Sequence, residues 1–395
     1  MPDFAPFAGL RYDSTRLDLA KVIAPPYDVV DPDERSRLVA RHSANSIQVE
    51  LPEPDQRREG DRYEAAAARI AEWIEQGLLI RDPEPVFYTY RMTAADGSAT
   101  LGVLGVLGLD DDSQATTLPH EETLPKAKSD RLDLLRATRV NLSPIWGLSL
   151  ATGLTSLLQT DDVPLGSAVD DDGVLHELWA VRDPSVIESV RSTVASAPVV
   201  VADGHHRLAT AATYFAEDGA GTPGADGILA LVVELADDRL SVGPIHRLLD
   251  GLPEGLDLVD VFASWFDVAR AGDFDERTAG ALGESSALAL VMPSGCWLLY
   301  PKDGTAEAAG SDLWSSMVAL VVAELPDHAL AFANSWQAAV DAVASEAAQA
   351  AVLLPPVSIT QIRSWADARR RMPPKSTFFH PKPRTGMVFR SLDPS

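Results

Sequence analysis

One segment of the chain places three cationic or titratable side chains directly after an Asp-Gly turn: Val199-Val200-Val201-Ala202-Asp203-Gly204-His205-His206-Arg207. Apolar residues at helical spacing beyond this point predict a helix from about His205 to Ala216, preceded by a strand. The start of a helix offers free backbone N–H groups and the positive end of the helix dipole, which favour an anion. We therefore predict that Gly204, His205, His206 and Arg207 bind phosphate. Asp203 is a predicted catalytic carboxylate, although capping of the helix would also explain it.

A second segment packs one histidine, two glutamates and three cations into a loop that begins at a proline: Pro119-His120-Glu121-Glu122-Thr123-Leu124-Pro125-Lys126-Ala127-Lys128-Ser129-Asp130-Arg131. Carboxylates beside cations supply a general base and stabilise charge during group transfer. The predicted catalytic residues of this loop are His120, Glu121 and Glu122. Its predicted ligand-binding cations are Lys126, Lys128 and Arg131. The same pattern also fits a solvated loop in which Ser129 or Asp130 caps the next helix.

The C-terminal region is basic. Between residues 363 and 384 there are seven Lys or Arg residues and one Asp, a local net charge of +6 in an acidic chain. Such a stretch produces a positive local field, so we predict that it lines a pocket for an anionic ligand and that Lys375 contacts that ligand. His246 and Arg247 repeat this chemistry on a smaller scale after a predicted strand. Neutralisation of acidic surface elsewhere is the alternative explanation.

Several common motifs are missing from the sequence. It contains no GxxxxGK[ST] and no GxGxxG at a strand–helix junction, so it has neither a P-loop nor a Rossmann fingerprint. HExxH and CxxC do not occur either, and the sequence indicates no particular set of metal ligands. The Asp-Gly turn therefore stays the strongest predicted anion site.

The overall charge of the chain limits its partners. Its 395 residues include 33 Lys and Arg and 58 Asp and Glu, a net charge of −25 that repels a nucleic-acid backbone. The single Cys296 excludes an internal disulfide framework and fits a reducing cytosol. The sequence shows no apolar run of membrane-spanning length and no signal-peptide pattern at its start. We therefore predict a cytoplasmic protein that binds a small anionic or nucleotide ligand, with neither nucleic acid nor membrane as a partner.

The elements that must hold these side chains follow an α+β pattern, with mixed sheets and helices. Helical spacing of apolar residues predicts helices at 63–79, 131–140, 185–195, 205–216, 313–325, 338–351 and 359–368. β-Branched and aromatic runs predict strands at 47–51, 86–90, 101–109, 199–201, 229–234 and 351–354. Four segments are expected: an N-terminal α/β domain (1–150), a strand–turn–helix core (151–250), an Ala- and Leu-rich insertion or second domain (251–350), and a basic segment that returns to the core (351–395).

Several short motifs occur in the order typical of a bacterial family catalogued as domain of unknown function 1015: Pro6–Tyr12, Ala24–Val29, Pro119–Thr123, Ala202–Arg207, Arg371–Thr377 and Thr385–Gly386. The resemblance covers roughly residues 4–150, 176–250 and 352–392. The Asp203–Arg207 turn also resembles, more loosely, the phosphate-binding turn of ParB-like and sulfiredoxin-like proteins. That superfamily includes nucleotide-hydrolysing switches and kinases that act on free serine. The resemblance thus implies a phosphate-binding strand–turn–helix core.

The residues and the resemblance together favour a nucleotide-dependent phosphotransferase (a kinase) or nucleotide hydrolase that acts on a small polar metabolite. ATP or ADP would bind at the Gly204 turn, accompanied by Mg²⁺, and Glu121 or Glu122 would be the base. A metal-dependent hydrolase is the first alternative, with ligands drawn from His120, Glu121, Asp203, His205, His206 and His246. A nucleotide-sensing switch without catalytic activity is the second.

Overall fold

A computed structural model of the protein describes residues 1–54, 61–119, 128–217, 219, 221–236, 240–272 and 274–393. The chain divides into two compact units. Unit 1 consists of Met1–Leu240 together with Pro381–Ser395, and unit 2 consists of Ser241–His380. Both units contain β-sheets with packed helices, so the predicted α+β class with mixed sheets is confirmed.

Unit 1 is organised around a nine-stranded mixed sheet in the order β6-β11-β8-β12-β5-β4-β10-β9, with β1 paired to β5. The β11–β6 and β12–β8 pairs are parallel, whereas the other pairs in this sheet are antiparallel. Two small sheets, β2–β3 and β7–β21, complete the unit. The strands are β1 Phe4–Ala5, β2 Leu10–Tyr12, β3 Leu79–Arg81, β4 Phe87–Thr93, β5 Ala99–Gly108, β6 Thr117–Pro119, β7 Val140–Asn141, β8 Ile145–Ser149, β9 Gly166–Val169, β10 Leu175–Val181, β11 Val199–Asp203, β12 Gly227–Glu234 and β21 Arg390–Ser391.

The helices of unit 1 cover the sheet and build the region around the Asp-Gly turn. They are α1 Leu19–Val22, α2 Pro32–Arg41, α3 Ile47–Glu50, α4 Arg62–Glu75, α5 Asp111–Thr116, α6 Lys128–Thr138, α7 Leu154–Leu157, α8 Pro184–Ala195 and α9 His205–Glu217, with a short 3₁₀ turn at Tyr27–Val29. Helix α9 packs on the sheet through Ala211 and on α6 through Tyr214 and Leu135. Helix α9 is therefore packed between the sheet and α6.

Unit 2 contains a six-stranded antiparallel sheet in the order β15-β17-β16-β19-β14-β18, and a separate β13–β20 pair. Alternate residues of β16 and β19 belong to two different apolar clusters, so both faces of the sheet are buried. Helix α13 packs in one cluster and α14 in the other. The elements are β13 Ser241–Gly243, β14 His246–Asp250, α10 Leu258–Ala263, β15 Phe266–Ala271, α11 Glu276–Ser285, β16 Leu288–Met292, β17 Gly295–Pro301, α12 Thr305–Ala308, α13 Trp314–Val322, β18 Ala329–Ala333, α14 Trp336–Ala344, β19 Ala350–Leu353, α15 Ile359–Asp367 and β20 Phe378–His380.

Two predicted elements differ from the structure. Residues 47–51 were expected to form a strand, but Ile47–Glu50 form the one-turn helix α3, whose first N–H, that of Ile47, donates to Asn45 Oδ1 at 3.0 Å. The helix expected at 338–351 runs from Trp336 to Ala344 only. None of the helices among the described residues has the length and apolar character that crossing a membrane requires.

Candidate functional site

The Asp-Gly turn has the predicted strand–turn–helix geometry. Strand β11 ends at Asp203 and α9 begins at His205, so Gly204 alone connects them. Its φ is +90°, and a Cβ at this position would lie 3.0 Å from Ile145 Cγ2 and 3.1 Å from Ile145 Cα. Glycine is therefore needed both for the backbone conformation and for the close approach to β8. His205 and His206 form the first turn of α9, and both are partly buried.

The Asp203 carboxylate lies between two cations from distant parts of the sequence. Arg207 Nη2 donates to Asp203 Oδ2 at 2.7 Å, and Lys382 Nζ donates to Asp203 Oδ1 at 2.5 Å. Burial raises the pKa of this carboxyl, but Lys382 and Arg207 outweigh burial and lower its pKa overall. Asp203 therefore stays ionised, and it fixes the side chains of both cations.

Arg207 is largely enclosed, and only 11% of its side chain is accessible. Its Nη1 donates to the carbonyl oxygen of Pro144 at the start of β8. Because strand β8 runs beside β11, the guanidinium lies across the ends of two neighbouring strands. Arg207 is thus a structural ion-pair partner as well as a predicted phosphate ligand.

The loop that contains the predicted catalytic residues begins at the same sheet edge. Strands β6 and β11 are parallel, and Pro119 at the end of β6 pairs with Val201. The next residue after β6 is His120, and residues 120–127 lie outside the described residues, so His120, Glu121, Glu122 and Lys126 do too. Lys128 begins α6, and its side chain is likewise not described. Their predicted roles therefore remain predictions, although the start of the loop is next to the Asp203 turn.

Arg131, at the other end of that loop, is one of the predicted cations that the structure brings beside Arg207. It is 8% exposed, and both Arg131 and Arg207 line the same cavity. Arg131 Nη1 donates to the Glu50 carbonyl oxygen at 2.7 Å, and Nη2 donates to Asp130 Oδ2 at 2.7 Å. The guanidinium also lies 4.5 Å from the centre of the Tyr27 ring, a cation–π contact. These contacts hold its charge close to the site.

Sequence reasoning missed Glu50. This residue ends α3, is 3% exposed and lines the cavity shared by Arg131 and Arg207. Burial raises the pKa of Glu50, although Arg131 and Arg207 act in the opposite direction. The nearest guanidinium nitrogen, Arg131 Nη1, lies 3.8 Å from Glu50 Oε1, beyond hydrogen-bond distance. The only signal in the sequence was an acidic residue within the apolar run 47–51, and that run was interpreted as a strand.

Three predicted ligand-binding residues belong to unit 2. His246 and Arg247 are buried in β14, where His246 Nδ1 accepts a hydrogen bond from the Leu354 N–H at 3.1 Å. Arg247 Nη1 donates to the Ile245 carbonyl oxygen at 2.7 Å. Lys375 has a φ of +60°. The hydrogen bonds of His246 with Leu354 and of Arg247 with Ile245 lie within unit 2. A role for His246, Arg247 and Lys375 in ligand binding stays a prediction.

A metal centre is the basis of the alternative hydrolase hypothesis. Within the part of the chain that the structure describes, no group of three or more His, Cys, Asp or Glu side chains could hold a metal ion. The Asp203 carboxylate, one of the proposed ligands, contacts two cations instead. Two other proposed ligands, His120 and Glu121, lie outside the described residues.

Solved structures of three proteins resemble this chain. A conserved hypothetical protein from Pyrococcus furiosus is 12% identical, with a TM-score of 0.37, over 70% of this chain and 90% of that chain. A free serine kinase in complex with AMP is 12% identical, with a TM-score of 0.38, over 70% of this chain and 86% of that one. C-terminally truncated SbnI from Staphylococcus aureus is 13% identical, with a TM-score of 0.39, over 72% and 85%.

A family model gives the clearest relationship. No curated protein matches the chain. Residues 4–323 match the model described as "Protein of unknown function (DUF1015)", which covers most of unit 1 and more than half of unit 2. Four of the six motifs, including Ala202–Arg207, fall within this match, whereas Arg371–Thr377 and Thr385–Gly386 lie beyond it. The chain therefore belongs to the DUF1015 family.

Proposed function

We propose that unit 1 binds the phosphates of a nucleotide at the Asp203–Arg207 turn and catalyses phosphoryl transfer to a small polar metabolite, or hydrolysis of the nucleotide. The observation that carries this proposal is the sheet edge at which parallel strands β6 and β11 both end. One strand leads into the glutamate-containing loop, and the other leads into the N-terminus of α9. A phosphate at that edge would meet backbone N–H donors, cations and a carboxylate base.

The cations of the described residues support phosphate binding. Arg207, Lys382 and Arg131 are each fixed by a carboxylate, so they present ordered positive charge with little entropy left to lose on binding. Phosphoryl transfer depends mainly on positioning and electrostatic stabilisation, which such groups provide. Mg²⁺ would accompany the nucleotide phosphates.

The proposed reaction uses the loop carboxylates as the base. The acceptor oxygen forms the new bond to the γ-phosphorus while the bond to the bridging oxygen of the leaving ADP breaks. The acceptor proton passes to Glu121 or Glu122. For hydrolysis, water replaces the metabolite as acceptor. His120 and Lys126, in the same loop, would stabilise the developing negative charge.

Replacement of Arg207 by alanine tests the binding site. We expect the affinity for ADP to fall by about tenfold or more, because a charge-assisted contact is lost. The loss of its bonds to Asp203 and Pro144 is also expected to lower the free energy of unfolding by about 1–3 kcal/mol. Isothermal titration calorimetry well below the melting temperature separates the two effects. The matched control is Arg191→Ala, since Arg191 is an arginine on α8 whose side chain is 48% exposed. ADP affinity equal to wild type in Arg207→Ala would remove this turn from the site.

Replacement of the loop glutamates tests the chemistry. In Glu121→Gln and Glu122→Gln, turnover of ATP to ADP is expected to fall about 100-fold or more in the variant that lacks the base. ADP affinity should change much less, because a base acts in the chemical step. The assay is ADP release in the presence of a panel of small metabolites. Wild-type turnover in both variants would contradict the assignment.

The two alternative functions give different results in the same experiments. Tight nucleotide binding by the wild-type protein without any turnover would indicate a nucleotide-sensing switch. Stoichiometric transition metal in the purified protein, with activity lost on chelation, would indicate a metal-dependent hydrolase.

A further inference from the structure

A cavity in unit 1 lies between α3, α6 and α9. Its volume is about 60 Å³, enough for a group of a few non-hydrogen atoms. Six of its lining residues are apolar, among them Leu134, Leu135 and Ile228. The other six are polar or charged: Glu50, Arg131, Asn141, Ser143, Arg207 and Thr210. The cavity thus offers both apolar contacts and polar groups to a small molecule.

Two polar atoms of the cavity lining lack hydrogen-bond partners among the described residues, Glu50 Oε2 and Thr210 Oγ1. Glu50 is 3% exposed and Thr210 is 4% exposed. The Ser143 hydroxyl lies near the Glu50 carboxyl and lowers its pKa, but this hydroxyl is paired with Thr385 Oγ1. Buried polar atoms are nearly always paired, because an unpaired one loses its hydrogen bonds to water without replacement. Two such atoms on the wall of one cavity indicate that a ligand completes the site.

The chemistry of the two atoms limits the class of that ligand. An ionised Glu50 can only accept a hydrogen bond, so the ligand must donate one, and the Thr210 hydroxyl can donate one in return. Arg207 pairs with Asp203, and Arg131 pairs with Asp130 and lies 3.8 Å from Glu50 Oε1, so the charge of Glu50 is already balanced. A cationic ligand would add a further buried charge, which is costly. A neutral hydroxyl meets both requirements.

We propose that this cavity binds the hydroxyl end of a small molecule whose adjoining body is aliphatic. The hydroxyl donates to Glu50 Oε2 and accepts from Thr210 Oγ1, while the carbon chain packs on Leu134, Leu135 and Ile228. The binding site stands apart from the proposed reaction. The identity of the ligand as the phosphoryl acceptor does rest on the proposed function. The cavity shares Arg131 and Arg207 with the proposed phosphate site, so its ligand would be the molecule that accepts the phosphoryl group.

The test uses the full-length protein with ¹³C-labelled methyl groups and propan-1-ol as the probe. We expect saturable chemical-shift changes at the methyl groups of Leu134, Leu135 and Ile228. Thr210→Val should weaken propan-1-ol binding by about tenfold, because it removes the hydroxyl but keeps the shape. The matched control is Thr155→Val: Thr155 Oγ1 is also buried without a partner among the described residues, but Thr155 does not line this cavity.

Each outcome of the titration decides the proposal. No saturable shift, or equal binding by wild type and Thr210→Val, would mean that water alone fills the cavity and would overturn it. Tighter binding of propylammonium than of propan-1-ol would overturn the choice of a neutral donor. ADP affinity measured on the same samples keeps the two proposals separate. If propan-1-ol binds and ADP does not, the proposed hydroxyl-binding cavity is supported and the proposed function is contradicted.

Discussion

His246 in unit 2 is a buried histidine whose ring nitrogen accepts a backbone hydrogen bond. It is 3% exposed, and Nδ1 accepts from the Leu354 N–H at 3.1 Å. Burial, together with the adjacent Arg247, lowers the pKa of His246 to about 4. The neutral ring is therefore the form that fits β14, and protonation would remove the acceptor and place a charge inside the unit.

The lowered pKa makes the stability of unit 2 depend on pH. Between about pH 6.5 and pH 4 the unfolded chain binds a proton at this site that the folded chain does not, so stability is complete above pH 6.5 and falls with acidification. The total loss is about 3 kcal/mol. In His246→Asn, which keeps an acceptor, this part of the pH dependence should disappear. Urea titrations at pH 7 and pH 4 measure it. A constant difference between the two proteins across this range would contradict the assignment.

Two carboxyl groups near the proposed phosphate site have opposite pKa directions. For Asp203, burial raises the pKa, but the attraction of Lys382 and Arg207 is larger and leaves it lowered. For Glu50, burial is the larger effect and leaves the pKa raised. Distance explains the contrast, since cations bind Asp203 directly whereas Arg131 Nη1 stays 3.8 Å from Glu50 Oε1. Asp203 is thus held in its charged form by the two cations, whereas burial dominates the pKa of Glu50.

At the scale of elements, the β11–α9 connection depends on one residue. Gly204→Ala would place a side chain at φ +90° and crowd Ile145, with Cβ contacts of 3.0–3.1 Å. We expect it to lower the free energy of unfolding by about 2–4 kcal/mol and to weaken ADP binding, because the helix start must shift.

A second glycine provides the control for Gly204→Ala. Gly153 at the start of α7 has φ +91°, and no atom lies within 4 Å of an added Cβ. Gly153→Ala therefore introduces the backbone strain but not the crowding. It should lower the free energy of unfolding by about 1 kcal/mol. Chemical denaturation of both variants separates the two contributions. Equal losses in the two variants would show that the approach to Ile145 is unimportant.

The strand predicted at residues 47–51 is wrong, because this segment forms the one-turn helix α3. Ile47, Val49 and Leu51 alternate with polar residues, which is the pattern of a half-buried strand. A run of five residues does not discriminate between strand and helix, and tertiary contacts decide. Here the Ile47 N–H donates a hydrogen bond to Asn45 Oδ1, and Arg131 from α6 donates one to the Glu50 carbonyl oxygen. These contacts satisfy the ends of a helical turn, and Glu50 is consequently directed to the cavity.

At the scale of the whole molecule, the C-terminal residues are part of unit 1. Arg390 in β21 is 6% exposed, and burial lowers its pKa to about 10. Its guanidinium donates to Asn141 Oδ1 at 2.9 Å and to the carbonyl oxygens of Gly227 and Gly224 at 2.7 Å each. The last strand of the chain thus ties together the ends of β7 and β12.

Loss of these bonds should destabilise unit 1 strongly. We expect Arg390→Met to lower the free energy of unfolding by about 2–4 kcal/mol, because three acceptors lose a buried donor. Arg371→Met is the control: it makes the same change in charge at an exposed position. Urea unfolding of both variants gives the comparison. If Arg390→Met were as stable as the control, the C-terminal strand would contribute little to the unit.

The local part of the proposed phosphate site could be predicted from the sequence. A valine run, an Asp-Gly pair and apolar residues at helical spacing are contiguous, so strand, turn and helix follow from backbone preference and burial alone. The α+β class and the positions of most long helices follow from the same periodicity. The helix at 336–344 was predicted too long because the alanine-rich sequence continues past Ala344 into β19, so composition alone does not show where the helix ends.

Tertiary structure alone decided which distant residues lie around the Asp-Gly turn and the cavity beside it. Lys382 is 179 positions from Asp203, and Arg131 reaches Glu50 across 81 positions. Such pairs depend on strand order and helix packing, which no local pattern encodes. The parallel pairing of β6 with β11 places Pro119 beside Val201 for the same reason. Sequence determines each local segment through short-range backbone and solvation preferences, whereas charge pairing and cavity formation arise only when packing fixes the segments together.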